Sequence, residues 1–383
     1  MVSAVRKGAS LRAVAAQFKV SHSTILFWVR RAEGRRLDRV DFSDRPPRPV
    51  RTRRTRAPVE DLVVDLRAQL KDRSALGQYG ASAIRDALSV RGVAPLPSVR
   101  TVGRILQRRG ALDVRRRRRF PAPPRGWYLP AAGDGRAEVD CCDIVEDLRI
   151  EGGPLVDVLT GVSLFGRLAA AWPVETPVTA CFAAQALPEH WREHGLPDYV
   201  QFDNDTRFQG AHHRRNSISR VMRTCLSLGV SVVFAPPQEM GFQASVENFN
   251  GQWQRAVWQR HHHGSLRALR ERSLAYVGAW RSKHAARIAG VARRRFPQGW
   301  ALDLQGRPQG TLVYLRRTDA DGRATFLGQR FPIDRTWTHR LVRCEVDLTA
   351  GRVRAYRLRR REPGDQPLLS EWPFTLPDRP FHE

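Results

Sequence analysis

The chain has 383 residues with 65 Lys plus Arg against 38 Asp plus Glu, and its formal net charge of +27 points to a polyanionic partner. That length suggests two to four domains. No apolar run approaches the roughly 18 residues of a membrane span, the amino terminus lacks the apolar core of a signal peptide, and the five cysteines form no C-x-x-C pair, which excludes a membrane protein, a zinc finger and a disulfide framework and leaves a cytoplasmic, nucleoid-associated protein as the expectation.

Residues 1–34 read as a helix-turn-helix. Ser10 can cap a helix through Leu11, Val14, Ala15 and Phe18; Val20-Ser21 makes the turn; Ser23 to Ala32 forms a second helix with Ile25, Trp28 and Val29 inward. Ser23, Thr24, Phe27 and Arg30 are then left to face the major groove. Residues 35–58 are rich in Arg, Asp and Pro and form a basic linker by composition. Residues 59–112 give a second helical unit with helices at Val59 to Leu70, Ala81 to Val90 and Ser98 to Arg109, the last carrying Val99, Val102 and Ile105 inward and Arg100 and Arg104 toward DNA. Residues 113–135 are basic and Pro-rich, and Arg115, Arg116, Arg117, Arg118 and Arg119 are expected to grip phosphate.

A catalytic core is expected over 136–264. Asp140 stands within a short apolar strand, Ala137 to Val145; Asp203 ends an alternating strand, Tyr199 to Asp205, at the carboxyl edge of a sheet; Glu247 lies beside an apolar helical stripe of Val246, Phe249, Trp253 and Val257. Phosphodiester cleavage needs an activated water or hydroxyl and a stabilised leaving oxygen, and two divalent ions roughly 3.5–4 Å apart supply both. Hard ions such as Mg²⁺ take oxygen ligands, which two strand aspartates and one helix glutamate provide. Asp143, Asp157 and Asp205 are read as structural or supporting acids, because Asp143 has the opposite strand parity to Asp140, Asp157 lies on the next strand and Asp205 is already in the turn.

Glu138-Val139-Asp140-Cys141, Phe202-Asp203-Asn204 with Phe208, and Pro236-Pro237 followed by Gln243 and Val246-Glu247-Asn248-Phe249-Asn250 resemble the three acid motifs of the DDE transposase and retroviral-integrase-like catalytic cores, a ribonuclease H-like family that includes bacterial insertion-sequence transposases. The sequence departs from the family pattern at Asp205 and Ala244, where glycine is usual, and at Asn248, where arginine is common. The resemblance implies that Asp140, Asp203 and Glu247 bind Mg²⁺ or Mn²⁺, two ions per site, with Asn204 and Gln243 near the DNA backbone. It also implies double-stranded DNA and a homo-oligomeric synaptic complex as partners. The stretches A-A-x-F-x-V-S-x-S-T-I-x-x-W near the amino terminus and Pro97 to Leu106 resemble transposase helix-turn-helix modules.

Strands at 154–160 and 167–173, a helix at 178–194, a helix at 217–228 and a strand at 230–235 complete a β-β-β-α-β-α-β-α order. Residues 265–295 form a helical connector, one helix from Ser265 to Ala289 with Leu266, Leu269, Leu274, Val277 and Trp280 apolar, and His261-His262-His263 reads as a solvated helix end. In 296–383, alternating runs at 310–318, 323–333 and 340–356 suggest a separate small β-barrel or sheet. The expected architecture is multidomain: N-terminal all-α helix-turn-helix units, a central α/β ribonuclease H-like core and a C-terminal small β-barrel or sheet. The expected function is a DNA transposase that binds terminal inverted repeats, cuts 3′ ends and transfers the strand to target DNA. The alternatives are a non-enzymatic DNA-binding regulator and a metal-dependent nuclease without strand transfer.

Overall fold

The computed structural model describes residues 1–43, 55–112, 123–212 and 214–378. Arg115 to Arg119, much of the 35–58 linker and His213 lie outside the described residues. The chain divides into two compact units, Met1–Ala57 and Pro58–Glu383.

The first unit contains α1 (Val2–Arg6), α2 (Leu11–Phe18) and α3 (His22–Ala32). Ser10 accepts the Ala13 N–H at 3.2 Å and Ser21 accepts the Thr24 N–H at 3.2 Å, so both long helices start on a serine cap. The cap of α3 is Ser21, and the helix begins one residue earlier than expected. Lys19 at φ 51° turns the chain between them. Val14, Ala15 and Ile25 form the small core of the helix pair.

In the second unit α4 (Ala57–Arg73), α5 (Ala81–Val90) and α6 (Val99–Arg108) enclose their own cluster of Val63, Leu66, Ile84, Leu88, Val102, Ile105 and Leu106. Val99, expected inward, is 45% exposed, and Leu106 fills the helical stripe instead. α7 (Pro130–Gly133) leads into the core.

There β1 (Val139–Arg149), β2 (Leu155–Ser163) and β3 (Ala169–Glu175) form an antiparallel meander. α8 (Ala180–His194) crosses over to β4 (Tyr199–Phe202), which runs parallel to β1. α9 (Thr206–Gln209) and α10 (Arg220–Ser227) lead to β5 (Ser231–Phe234), parallel to β4, and α11 (Ala244–Trp253) follows. The anticipated β-β-β-α-β-α-β-α order is present with one addition, the single-turn α9 between β4 and α10. α8 and α10 cover one face of the sheet through Leu187, Trp191, Val221 and Cys225. α11 and α12 (Leu266–Lys283) cover the other through Val246, Phe249, Leu269 and Trp280. α12 stops at His284 and α13 (Ala285–Ala289) follows, where one continuous helix was expected. Leu274 faces solvent at 67% exposure, whereas Ser273 is buried and accepts the Trp253 indole N–H at 2.9 Å. His263 is also buried, stacked on Trp258, rather than solvated.

The carboxyl-terminal segment corrects the expectation of a separate barrel or sheet. β6 (Thr311–Arg317) pairs parallel with β5, and β9 (Leu341–Asp347), β10 (Arg352–Arg357) and β11 (Leu368–Pro373) extend the same sheet in the order β11-β10-β9-β6-β5-β4-β1-β2-β3. The hairpin of β7 (Arg323–Phe326) and β8 (Gln329–Pro332) stands apart from that sheet. The cause is legible in β6 itself: Leu312 and Tyr314 enter one core cluster while Val313 and Leu315 enter the other. A strand apolar on both faces belongs inside a two-sided sheet, and pairing it with β5 removes an otherwise open edge.

Candidate active site

β1, β4 and β5 run parallel, and the carboxyl ends of β4 and β5, beside the middle of β1, open onto a pocket of about 540 Å³ lined by Asp143, Asp203, Asn204, the segment 235–240, Gln243 and Glu247. Asp203 follows the last residue of β4, and Glu247 stands in the first turn of α11. Asp140 does not line the pocket. The register pairs Asp140 with Val200 and Cys141 with Gln201, so continuing it one residue per step brings Asp143 level with Asp203. Asp140 is three residues back, about 10 Å toward the amino ends of the strands. It also points the other way. Val139, Cys141 and Val145 belong to the cluster under α11, and Cys142 belongs to the cluster under α8, so alternation puts Asp143 with the first set and Asp140 with the second.

Asp140 is 5% exposed and fully engaged: Arg293 donates to its two oxygens at 2.9 and 2.7 Å, and the Trp191 indole donates at 2.9 Å. Burial alone would raise its pKa, but the Arg293 charge and hydrogen bonds, helped by His190 and Trp191, outweigh it and hold the carboxyl below its ordinary value. The metal-ligand role expected for Asp140 is corrected on this geometry. Its lone pairs are committed to a buried ion pair on the wrong face of the strand.

Asp143 behaves in the opposite way. Its Oδ1 accepts the Ile144 N–H at 2.9 Å, and its Oδ2 accepts the Asn250 amide at 2.8 Å from α11. Burial pushes its pKa up to about 6, the two hydrogen bonds oppose that shift, and the charges of Asp203 and Glu247 add to it. Asp203 is raised as well, first by burial and then by Asp205, against a 3.1 Å hydrogen bond from the Asp205 N–H. Asp205 caps α9 and takes Arg207 at 2.7 Å, and Arg207 also bonds Glu146 at 2.6 Å. Arg207 thus neutralises the peripheral acids and leaves the pocket acids crowded.

The Asn204 amide donates to the Ala235 carbonyl at 2.7 Å and ties the ends of β4 and β5 together. Among the described residues, its Oδ1 and the Gln243 Oε1 are buried without a hydrogen-bond partner. Carboxylates and neutral acceptor oxygens are the donor set that hard divalent cations take. Among the described residues no group of three or more His, Cys, Asp or Glu side chains is arranged to hold a metal ion, so the acids share the pocket without forming a closed cage.

The expected DNA-facing residues lie on surfaces. Ser23, Phe27 and Arg30 are exposed on α3, Phe27 at 56%; Thr24 is half-buried, and its hydroxyl bonds Ser21 at 2.7 Å. Arg100 and Arg104 are exposed one turn apart on α6. Sequence reasoning set Asp143 aside as a structural or supporting acid and gave no role to Asn250 or Arg293. The available signal was the distance from Asp143 to Asp203, matched residue for residue once β1 and β4 are known to pair.

No family model matches the chain, and no curated protein is significantly similar to it. Among solved structures, the chain is similar to one in a simian T-cell lymphotropic virus intasome bound to the PP2A regulatory subunit B56 gamma, at 14% identity and TM-score 0.32, covering 72% of this chain and 88% of that one. It is also similar to the HTLV-2 integrase catalytic core in complex with magnesium (14%, TM-score 0.23, 35% and 69%) and to the BIV integrase catalytic core (14%, TM-score 0.25, 38% and 81%). Likenesses this loose bear on neither activity nor ligand.

Proposed function

We propose that the protein is a DNA strand-transfer enzyme of the insertion-sequence transposase kind, with Asp143, Asp203 and Glu247 as its acidic triad. One observation carries the reading: three acids from a central strand, a strand end and a helix open onto one pocket where burial and mutual repulsion raise Asp143. Such strain is relieved by a cation, and perturbed acids clustered in a cleft mark functional sites. Asp143, Asp203 and Glu247 would hold Mg²⁺ or Mn²⁺. When bound, the ions supply Lewis acidity toward phosphate and favour deprotonation of the attacking water or 3′-hydroxyl. The protein's own part is positional. Asn250 fixes the Asp143 carboxylate, Asn204 locks the β4–β5 ends, and Gln243 offers its amide beside the phosphate. Exposed arginines on α6 and the overall excess of positive charge suit two DNA segments, the element end and the target.

The test uses the full-length protein, Mg²⁺ or Mn²⁺, and duplexes carrying the DNA that flanks its own coding sequence. Wild type should nick 3′ ends and join them to a second duplex. Asp143→Asn, Asp203→Asn and Glu247→Gln should bind the same ends and join none. Joining at the wild-type rate by Asp143→Asn would refute the assignment. Hydrolysed ends without joining would identify a nuclease, and binding without cutting a DNA-binding regulator.

A further inference from the structure

The helical unit α4–α6 and the pocket helix α11 meet at the turn between α4 and α5. There the Gly77 N–H donates to the Ser74 carbonyl at 3.0 Å and the Gln78 N–H to Ser74 Oγ at 3.1 Å. Toward the helical unit, Arg67 of α4 donates to the Tyr79 carbonyl at 3.1 Å and lies over its ring at 4.9 Å. Toward the core, the Gln78 amide donates to Gln252 of α11 at 2.9 Å, its Oε1 accepts from Lys283 of α12, and Arg260 donates to the Ser74 carbonyl at 2.6 Å. Leu76 packs on the apolar cluster beneath α11 and α12. Gly77 adopts φ +60°, which favours glycine, and faces Ala256. Ala256 lies in a π-helical turn, Gln254–Trp258, that continues α11. Such turns are rare and concentrate where a helix is adapted to a task.

A turn bonded on both sides transmits position, and a free linker does not. Successive phosphates of one strand are about 3.4 Å apart along the duplex. A flexible linker of six residues wanders over roughly 13 Å, about four phosphates, whereas direct hydrogen bonds hold their partners within a few tenths of an ångström of ~3 Å.

We propose that the 74–79 turn is a strut that fixes the distance along DNA between the sequence read by α6 and the phosphate presented to Asp143, Asp203 and Glu247. The register role rests on the function proposed above; the rigid docking does not.

Two measurements on the full chain separate them. Cut positions are mapped by primer extension for wild type and for the triple variant Gln78→Ala, Arg260→Ala, Lys283→Ala. Wild type should cut one phosphate, and the variant should bind ends equally well yet spread its cuts over several neighbouring phosphates. A variant that keeps the single wild-type position overturns the proposal. For the second measurement, spin labels are placed on Cys181, which is exposed while the other four cysteines are buried, and on Gln107→Cys at the exposed side of α6. Wild type should show one narrow distance and the triple variant a broad one. A broad wild-type distribution overturns the strut whether or not DNA is cut. A narrow distance in a protein that cuts no DNA overturns the functional reading and the register role with it, while the docking stands.

Discussion

Arg293 closes both terminal nitrogens on the two oxygens of Asp140, at 2.9 and 2.7 Å, in a site where both side chains are almost fully buried. Arg293 comes from the segment after α13, so the pair pins the connector to the middle of the sheet. Removing one partner leaves an uncompensated buried charge, which typically costs about 3–5 kcal/mol. Arg293→Ala should therefore lower the urea midpoint of unfolding sharply; an unchanged midpoint would mean that the pair holds nothing.

The same pair sets a pH dependence. The folded pKa of Asp140 is depressed below its unfolded value, so its contribution is present above the unfolded value, about 3.9, and is lost as pH falls through the folded pKa. Acid unfolding of the wild type should steepen below about pH 4, and Asp140→Asn, although less stable at neutral pH, should lose that component. Equal acid slopes in the two proteins would contradict the assignment.

Asp143 has the opposite sign. Its folded pKa of about 6 lies above the unfolded value, so the folded state holds more proton between roughly pH 4 and 6, and stability falls as pH rises through that window. The partial solvent access of Asp143 limits the effect to the order of 1–2 kcal/mol. Asp143→Asn should remove the decline and melt higher than wild type at pH 7 without added metal. A lower melting temperature would show that the crowding of the acids is not a cost.

Mg²⁺ or Mn²⁺ should reverse that cost. A ligand that binds only the folded state stabilises it by RT ln(1 + [L]/Kd), about 2.7 kcal/mol at a hundredfold excess over Kd. Calorimetry should show the metal-induced rise in melting temperature growing from pH 5 to pH 7 in wild type and vanishing in Asp143→Asn and Glu247→Gln. A metal shift of equal size in those variants would place the ion elsewhere.

Arg100 and Arg104 stand one turn apart on α6, free in solvent. If each contacts a phosphate, Arg100→Ala and Arg104→Ala should each reduce the slope of log affinity against log salt by about 1. Unaltered slopes in both would move the DNA surface off α6.

The residues by themselves determined a good deal: the amino-terminal helix pair with its Ser10 cap, the sequence of strands and helices in the core, the positions of Asp203 and Glu247, and the excess charge. Those follow from local propensity and periodicity, which act over a few residues and are written in the chain. Tertiary structure alone decided which acid of β1 joins the other two. Asp140 and Asp143 sit in similar apolar surroundings in sequence, and the choice depends on the register with β4 and on which face α11 covers, both set by contacts about sixty and a hundred residues away. The destination of the carboxyl-terminal strands was settled in the same way. Their alternation is compatible with a separate small sheet, and only the open edge of β5 beside a strand apolar on both faces joins them to the core.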